Sequence, residues 1–277
     1  MSRILELFGH STAGDYDWLT IVREQQCPYS GRKCFKIRKS ESTVSIGTCV
    51  VAQGREVKPL IICPNKFLAD NGRVFTDVIH LMELHEDGNE IHLLREQAIP
   101  GGSVDYFLVS AKAGKAVDFI GIEFQGLDTT GTVWPHRQAF LASKGINVPE
   151  YEDKSFGVNW KMTAKTILVQ LNHKISTFEG MGKKFVLVLQ DDLLDYMKSE
   201  FAFGSFAGSR SEDSMHFHAY RVTAENALVN IELVDKLSTD ARGVEKAMSL
   251  GKSGNLVLQD VLDKLTTRVD VANLFGP

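Results

Sequence analysis

Two acidic residues and a glutamine lie at the ends of two apolar segments, where they could bind a metal ion together. Asp105 stands near the start of one segment, and Glu123 stands near the end of the next, with Gln125 two positions later. Side chains alternate between the faces of a strand, so Glu123 and Gln125 share a face. Two carboxylates in an apolar setting repel each other and are costly to desolvate. Mg²⁺ removes both costs and is typically held by one or two carboxylates, waters and substrate phosphates.

The two segments are predicted to form a hairpin that brings these residues together. Their content of Val, Ile, Phe and Tyr favours strands at Val104–Ser110 and Val117–Phe124. If the turn centres near Ala113–Gly114, the numbers of paired residues sum to about 227 or 228, so Asp105 lies opposite Ile122 or Glu123. Opposed residues hold their Cβ atoms roughly 5 Å apart. The alternative is that one acid is a surface residue and the pairing is accidental.

Four cysteines form a second candidate site near the start of the chain. Cys27, Cys34, Cys49 and Cys63 lie within 37 consecutive residues, and no cysteine follows them. Such a cluster favours a metal site over disulfides in a cytosolic protein, although disulfides remain the alternative. Four thiolates would give a closed tetrahedral site for zinc or iron, with a structural role because no position is left for water.

The acid-containing segments resemble a known family of enzymes. The pattern P…D followed by E-x-Q is similar to the PD-(D/E)xK nuclease signature. The longer strings LLREQAIPGGSVDYFLV and DFIGIEFQGLDTTGTVWP resemble the NotI family of type II restriction endonucleases, over roughly residues 90–137. E-x-Q is a variant among restriction enzymes, and Gln125 stands where a lysine is usual.

The resemblance implies a function and a set of roles. Asp105 and Glu123, with the backbone carbonyl of Phe124, would hold a catalytic Mg²⁺, and Gln125 would orient water or phosphate. The four cysteines would hold iron. The chain would cut double-stranded DNA at a palindromic, GC-rich site and leave 5′-phosphate ends. It would act as a homodimer, in a system that also contains a cognate DNA methyltransferase.

Bulk composition is compatible with this expectation. The chain has 277 residues, 43% of them apolar, and a formal net charge of −4. A negative total does not exclude DNA binding, because local fields matter more than totals. The run RKCFKIRK at residues 32–39 supplies five basic residues. No apolar run approaches the ~20 residues of a membrane span, and no secretory signal is evident, so a cytoplasmic protein without a membrane partner is expected.

The predicted fold is α/β, with a PD-(D/E)xK nuclease core whose central mixed β-sheet is flanked by helices. Residues 1–70 are predicted to form an N-terminal helix and the four-cysteine metal-binding region. Residues 71–277 are predicted to form the catalytic core with C-terminal elements for DNA recognition and dimerisation. Within that core, periodicity predicts a helix after Gly72 and a long helix over 157–176. It also predicts a hairpin over Met215–Thr223 and Asn226–Val234, and final helices near 238–250 and 255–267.

Several choices stay open from the sequence. Glu83 and Glu96 are candidates for a further acid at the site, because some such enzymes take one from the preceding helix or strand. Lys161, Lys165, His173 and Lys174 on the long helix could meet phosphate, although such lysines are usually solvated. The alternative functions are a repair or junction nuclease of the same fold, and a non-catalytic DNA-binding protein with four cysteines.

Overall fold

The computed structural model describes residues 3–54, 57–152, 154–225, 227–248 and 262–263. Apart from residues 262 and 263, the helix predicted near 255–267 lies outside this part of the chain. The strands are β1 (Ile4–Leu7), β2 (His10–Ser11), β3 (Gln26–Cys27), β4 (Arg32–Lys33), β5 (Ile37–Arg38), β6 (Glu41–Ser45), β7 (Thr48–Gln53), β8 (Lys58–Ile61), β9 (Glu90–Ile99), β10 (Gly102–Lys112), β11 (Lys115–Gln125), β12 (Thr129–Thr130), β13 (Gly157–Val158), β14 (Lys184–Gln190), β15 (Ala207–Gly208), β16 (Met215–Glu225) and β17 (Leu228–Thr239). The helices are α1 (Trp18–Glu24), α2 (Ala69–Thr76), α3 (Trp134–Ser143), α4 (Trp160–Gly180), α5 (Asp191–Glu200) and α6 (Ala241–Met248).

A seven-stranded mixed sheet forms the centre of the molecule, in the order β15-β17-β16-β14-β11-β10-β9. β14 pairs in parallel with both β11 and β16, and the outer pairs are antiparallel. All seven residues of β14 are buried, as expected for a parallel strand covered on both faces. The predicted mixed α/β fold with a central sheet flanked by helices is therefore confirmed.

The two faces of the sheet belong to different hydrophobic clusters. Phe185, Leu187 and Leu189 of β14 pack in one cluster with the apolar residues of α4. Val186 and Val188 point the other way, into a cluster with residues from the segment before β9. Both clusters include residues from 1–70 and from 71–277, so the two predicted regions pack directly together. A smaller sheet, ordered β2-β1-β7-β8, carries the N-terminal part.

The long helix and the second hairpin were predicted correctly, and the helix after Gly72 was not. α4 begins after Asn159, whose side chain accepts a hydrogen bond from the Met162 amide as an N-cap. The α-helix before β9 ends at Thr76, and only a short 3-10 helix (Ile79–Leu81) follows it. Val78, Leu81 and Met82 are buried against the sheet and Leu84 is exposed, so tertiary packing outweighs the helical spacing of this segment. None of the described helices is both long and apolar enough to cross a membrane.

Two histidines on β16 are expected to make the fold sensitive to acid. His216 and His218 are fully buried, and neither ring nitrogen of His218 has a hydrogen-bond partner. Burial is the main cause that lowers the pKa of His216 to about 4 and that of His218 to about 3. The positive charges of Lys184 and Lys236 add to the lowering of the pKa of His216 and of His218, respectively. The unfolded chain therefore takes up these protons first, starting near the ordinary histidine pKa of about 6.5.

Stability should therefore fall as the pH drops below about 6.5, by roughly 2 kcal/mol per buried histidine at pH 5. Urea unfolding between pH 8 and pH 5 measures this loss. His218→Leu removes one of the two histidines that take up a proton on unfolding. The free energy of unfolding should therefore change less with pH in this variant. An unchanged slope in the variant would show that His218 has the same pKa in the folded and the unfolded protein, which would contradict this prediction.

Candidate active site

The β10–β11 hairpin places Asp105 and Glu123 side by side. Ala113 and Gly114 form its turn, both with positive φ (51° and 73°), as a two-residue hairpin loop of type I′ requires. Tyr106 pairs with Ile122, so the paired numbers sum to 228. Extending this register by one residue sets Asp105 opposite Glu123. Of the two partners predicted for Asp105, Ile122 and Glu123, the register selects Glu123, and both acidic side chains lie on the α4 face of the sheet, opposite to Ile122.

Each carboxylate has one anchored oxygen. Asp105 Oδ2 accepts a hydrogen bond of 2.9 Å from the Phe124 amide. Glu123 Oε1 accepts one of 2.8 Å from Lys174 Nζ. Glu123 Oε2 is buried and has no hydrogen-bond partner. An unpartnered buried carboxylate oxygen is costly, so this atom marks a position where a cation or a donor would be stabilised.

The electrostatics of the pair favour a bound cation. Burial raises the pKa of Asp105, and the Phe124 amide and Lys174 only partly offset that rise. Burial and the neighbouring Asp105 charge raise the pKa of Glu123 to about 6, against the stabilising effect of Lys174. A positive ion between the two groups would lower both pKa values, because it stabilises the ionised forms.

Lys174 belongs to this site, although the sequence analysis grouped it with solvated residues. It lies on the buried stripe of α4, three positions after Leu171 and four before Phe178, and its side chain is only 7% exposed. The spacing from Leu171 and Phe178 is the signal that could have identified it, since a lysine on an apolar stripe is buried. Lys165 on the same helix is exposed.

The turn at Pro100–Gly102 fixes the distance between α4 and the hairpin. Gly101 has φ +97°, and a Cβ there would lie 2.3 Å from the His173 carbonyl oxygen. Thr177 Oγ1 donates to the Pro100 carbonyl at 2.8 Å. Because Gly101 has no side chain, the Pro100–Gly102 loop can lie directly against the backbone of α4 at His173, next to Lys174.

Gly101→Ala should therefore destabilise the fold and displace Lys174. We expect a loss of roughly 2–4 kcal/mol in unfolding free energy, from the strained φ and the backbone clash, together with loss of activity. Chemical denaturation measures the first effect. Gly180→Ala is the matched control, because a Cβ at Gly180 meets nothing within 4 Å. Equal stability of Gly101→Ala and the wild type would contradict this account of the turn.

The remaining predicted residues lie around the pair without joining it directly. The Gln125 amide donates to the adjacent Gly126 carbonyl. Glu96 lies opposite Asp105 on β9, has φ +48°, and its charge contributes to the raised pKa of Asp105. Glu83 instead pairs with Lys184 at 3.0 Å. Of the two further acids, only Glu96 is near the site.

A cavity of about 550 Å³ opens beside Asp105. Its lining combines Asp105 and Glu96 with basic and aromatic side chains, some of them from the cysteine-containing segment. We call it the acid cavity; its lining includes Arg32, Lys33, Phe35, Asn65, Arg95, Glu96, Asp105, Tyr106 and Phe124. Glu123 is not part of this lining, so the cavity reaches the acid pair from the side of Asp105. Positive charge beside a carboxylate is the arrangement expected where a phosphodiester meets a metal.

The four cysteines are buried and free, so the structure contains no disulfide among them. The Cys49 and Cys63 thiols interact, and the hydrogen bond from Cys49 lowers the pKa of Cys63 to about 7. Cys27 instead contacts Asn65, whose Nδ2 lies 3.9 Å from Cys27 Sγ. Among the residues that the structure describes, no three His, Cys, Asp or Glu side chains are grouped closely enough to hold a metal. The cysteines therefore do not form the predicted four-thiolate group.

No protein-family model matches the chain, and no curated protein matches it either. The function is therefore argued from the geometry of the acid pair, Lys174 and the acid cavity.

Proposed function

We propose that this protein is a Mg²⁺-dependent endonuclease that cuts double-stranded DNA at specific sites, similar to the type II restriction endonucleases of the NotI family. The observation that carries the proposal is the buried pair Asp105–Glu123, with one unpartnered carboxylate oxygen and the Lys174 amine 2.8 Å from the other. Two carboxylates suffice for Mg²⁺, which keeps several waters and takes further oxygens from the substrate. The donor set therefore fits this ion even without a third acidic ligand.

In the proposed mechanism, Asp105, Glu123 and the Phe124 carbonyl would hold the ion beside the scissile phosphate. A bound Mg²⁺ supplies a more acidic water and stabilises negative charge at phosphorus. Lys174 keeps Glu123 ionised and adds positive charge on the α4 side, which is the contribution that a lysine at position 125 would make. Gln125 orients the attacking water or the phosphate. Water attacks phosphorus and the 3′ oxygen leaves, which gives 5′-phosphate and 3′-hydroxyl ends.

The acid cavity supports DNA as the substrate. Arg32 and Lys33 line it together with Asp105, and Arg95 lines it beside Glu96. These three cations outnumber the two acids of the lining, so the cavity suits a polyanion once a metal has neutralised the acids. A palindromic target would be bound by a homodimer, since two-fold symmetry in the DNA matches two-fold symmetry in the protein. A GC-rich target, a cytoplasmic location and a cognate methyltransferase complete the proposal.

The four-cysteine metal remains a separate proposal. Burial of all four thiols and the lowered pKa of Cys63 support it, whereas the raised pKa values of Cys34 and Cys49 and the arrangement of the described thiols do not. Iron or zinc would have to draw Cys27 and Cys34 toward the Cys49–Cys63 pair. Elemental analysis of purified protein distinguishes iron, zinc and metal-free protein, and a metal-free, folded protein would overturn this proposal without affecting the acid pair.

Digestion of plasmid and phage DNA with Mg²⁺ tests the proposed function directly. We expect discrete fragments, loss of cutting in EDTA, and a single repeated sequence at the cloned and sequenced ends. A smear of fragments would favour a nuclease without site specificity. DNA binding without cutting, in Mg²⁺ or Mn²⁺, would overturn the proposal in favour of a non-catalytic DNA-binding protein.

A further inference from the structure

The segment from Lys33 to Lys39 turns its apolar side chains outward. Phe35 is 54% exposed and Ile37 is 50% exposed. Cys34, just before Phe35, is buried, and Lys36, between Phe35 and Ile37, is half-buried and donates from its amine to the Ile62 carbonyl. The usual preference is therefore inverted in this segment, because the lysine side chain is turned toward the protein and the phenylalanine side chain toward solvent. We call the exposed residues the outward stripe; they are Lys33, Phe35, Ile37 and Lys39.

The outward stripe connects two cavities on the surface. Lys33 and Phe35 line the acid cavity. Ile37 and Lys39 line a second cavity, of about 670 Å³, whose wall includes Trp134. Six residue steps of ~3.3 Å give the stripe a length of at most about 20 Å. The stripe therefore begins beside Asp105 and extends away from it along the surface.

Charge along the segment favours a polyanion as its partner, and of the two acids in the second cavity, Glu150 and Glu152, the latter is paired with Lys154. No acidic residue occurs from Arg32 to Ser40, and the first one after it, Glu41, is paired with Arg38 at 2.9 Å. Arg38 also stacks on Trp134, with its guanidinium carbon 4.5 Å from the ring centroid. This contact attaches the segment to the start of α3. Exposed apolar residues between lysines suit a ligand that offers flat apolar surface between negative charges.

We propose that the outward stripe packs against duplex DNA held at the acid cavity, an inference that rests on the proposed function. The Phe35 ring and the Ile37 side chain contact bases and sugars, and Phe35 lies where it can wedge against a base step next to the cut. Lys33 and Lys39 contact phosphates on either side. Apolar wedges flanked by cations are a general means of gripping and bending DNA. A second copy of this chain is the rival occupant.

The test uses full-length protein with Asp105→Asn, which should bind DNA without cutting it. The probe is a fluorescein-labelled GC-rich duplex of about three helical turns, followed by anisotropy over a range of salt concentrations. Phe35→Ser with Ile37→Ser should weaken binding at least about tenfold and leave the salt slope unchanged, because no phosphate contact is lost. Lys33→Gln with Lys39→Gln should reduce the slope of log affinity against log salt by about 1.8.

Leu84→Ser is the matched control, because Leu84 is an exposed apolar residue (58%) that lines neither cavity. Thermal melting and light scattering accompany each variant. Unchanged DNA affinity in the folded Phe35→Ser, Ile37→Ser protein overturns the inference and leaves the proposed function intact. Conversion of a dimer to a monomer by the same change assigns the stripe to a second copy and also overturns it. Failure of the Asp105→Asn parent to bind any duplex overturns the proposed function itself.

Discussion

Asp105→Asn and Glu123→Gln are each expected to lower the rate of DNA cleavage by about a thousandfold or more, because each removes an ionised ligand of the catalytic metal. In Asp105→Asn, the amide oxygen of the new side chain would still accept the hydrogen bond from the Phe124 amide, so the hairpin should keep its geometry. In Glu123→Gln, the amide oxygen would likewise still accept a hydrogen bond from Lys174. The lower cleavage rate of both variants would therefore result from the lost negative charge, since the geometry of the site should be preserved.

Single-turnover cleavage of plasmid DNA at saturating Mg²⁺ measures this effect, with circular dichroism to check folding. Glu232→Gln is the matched control, since Glu232 is exposed on β17 of the same sheet. It should cut like the wild type. Cleavage by folded Asp105→Asn within tenfold of the wild-type rate would show that the acid pair is not the active site.

Lys174→Met is expected to lower cleavage by about a hundredfold or more near neutral pH, and to shift the pH dependence. Lys174 lowers the pKa of both Asp105 and Glu123 against the rise that burial causes. Without it, both pKa values move further up. Because the ionised forms bind metal, activity at pH 6–7 should fall more than activity at pH 9, and higher Mg²⁺ should restore part of it.

Stability has to be measured beside activity for this variant, because breaking a buried ion pair can cost about 3–5 kcal/mol. Lys174→Arg keeps the charge and should retain more activity than Lys174→Met, with a smaller pH shift. Lys165→Met removes an exposed lysine from the same helix and should change neither activity nor its pH profile. A pH profile of Lys174→Met that is parallel to the wild type would restrict Lys174 to a purely structural role.

The hairpin was predictable because its register depends on local sequence. A glycine-containing loop between two β-branched and aromatic runs fixes the turn, and the turn fixes which residues face each other. That left Ile122 or Glu123 as the partner of Asp105, and the register of the structure selects Glu123. The position of Lys174 depends instead on how α4 packs over the sheet, which the close approach at Gly101 determines. Lys174 was not predicted as a site residue because it was grouped with the other basic residues of α4. Its spacing from Leu171 nevertheless places it on the apolar stripe of the helix.

The arrangement of the four cysteines, in contrast, could not be predicted from their spacing along the chain. Clustering along the chain predicted one site for four thiols, but nearness in sequence does not set the direction of side chains. Cys49 and Cys63 are brought together by adjoining strands, since the Cys49 carbonyl accepts from the amides of Ile62 and Cys63. Cys27 and Cys34 belong to a different hairpin, in which β3 pairs with β4 and the Cys34 amide donates to the Gln25 carbonyl. Strand pairing therefore fixes each pair of cysteines separately, and the sequence does not show how the two pairs lie relative to each other.

Anomalous scattering from crystals soaked in Mn²⁺ tests the central claim most directly, because Mn²⁺ takes oxygen ligands as Mg²⁺ does. We predict one anomalous peak within about 2.5 Å of both Asp105 and the unpartnered Glu123 Oε2, and its loss in Glu123→Gln crystals. A wild-type map without a peak between these two carboxylates, from crystals that bind Mn²⁺ elsewhere, would contradict the account.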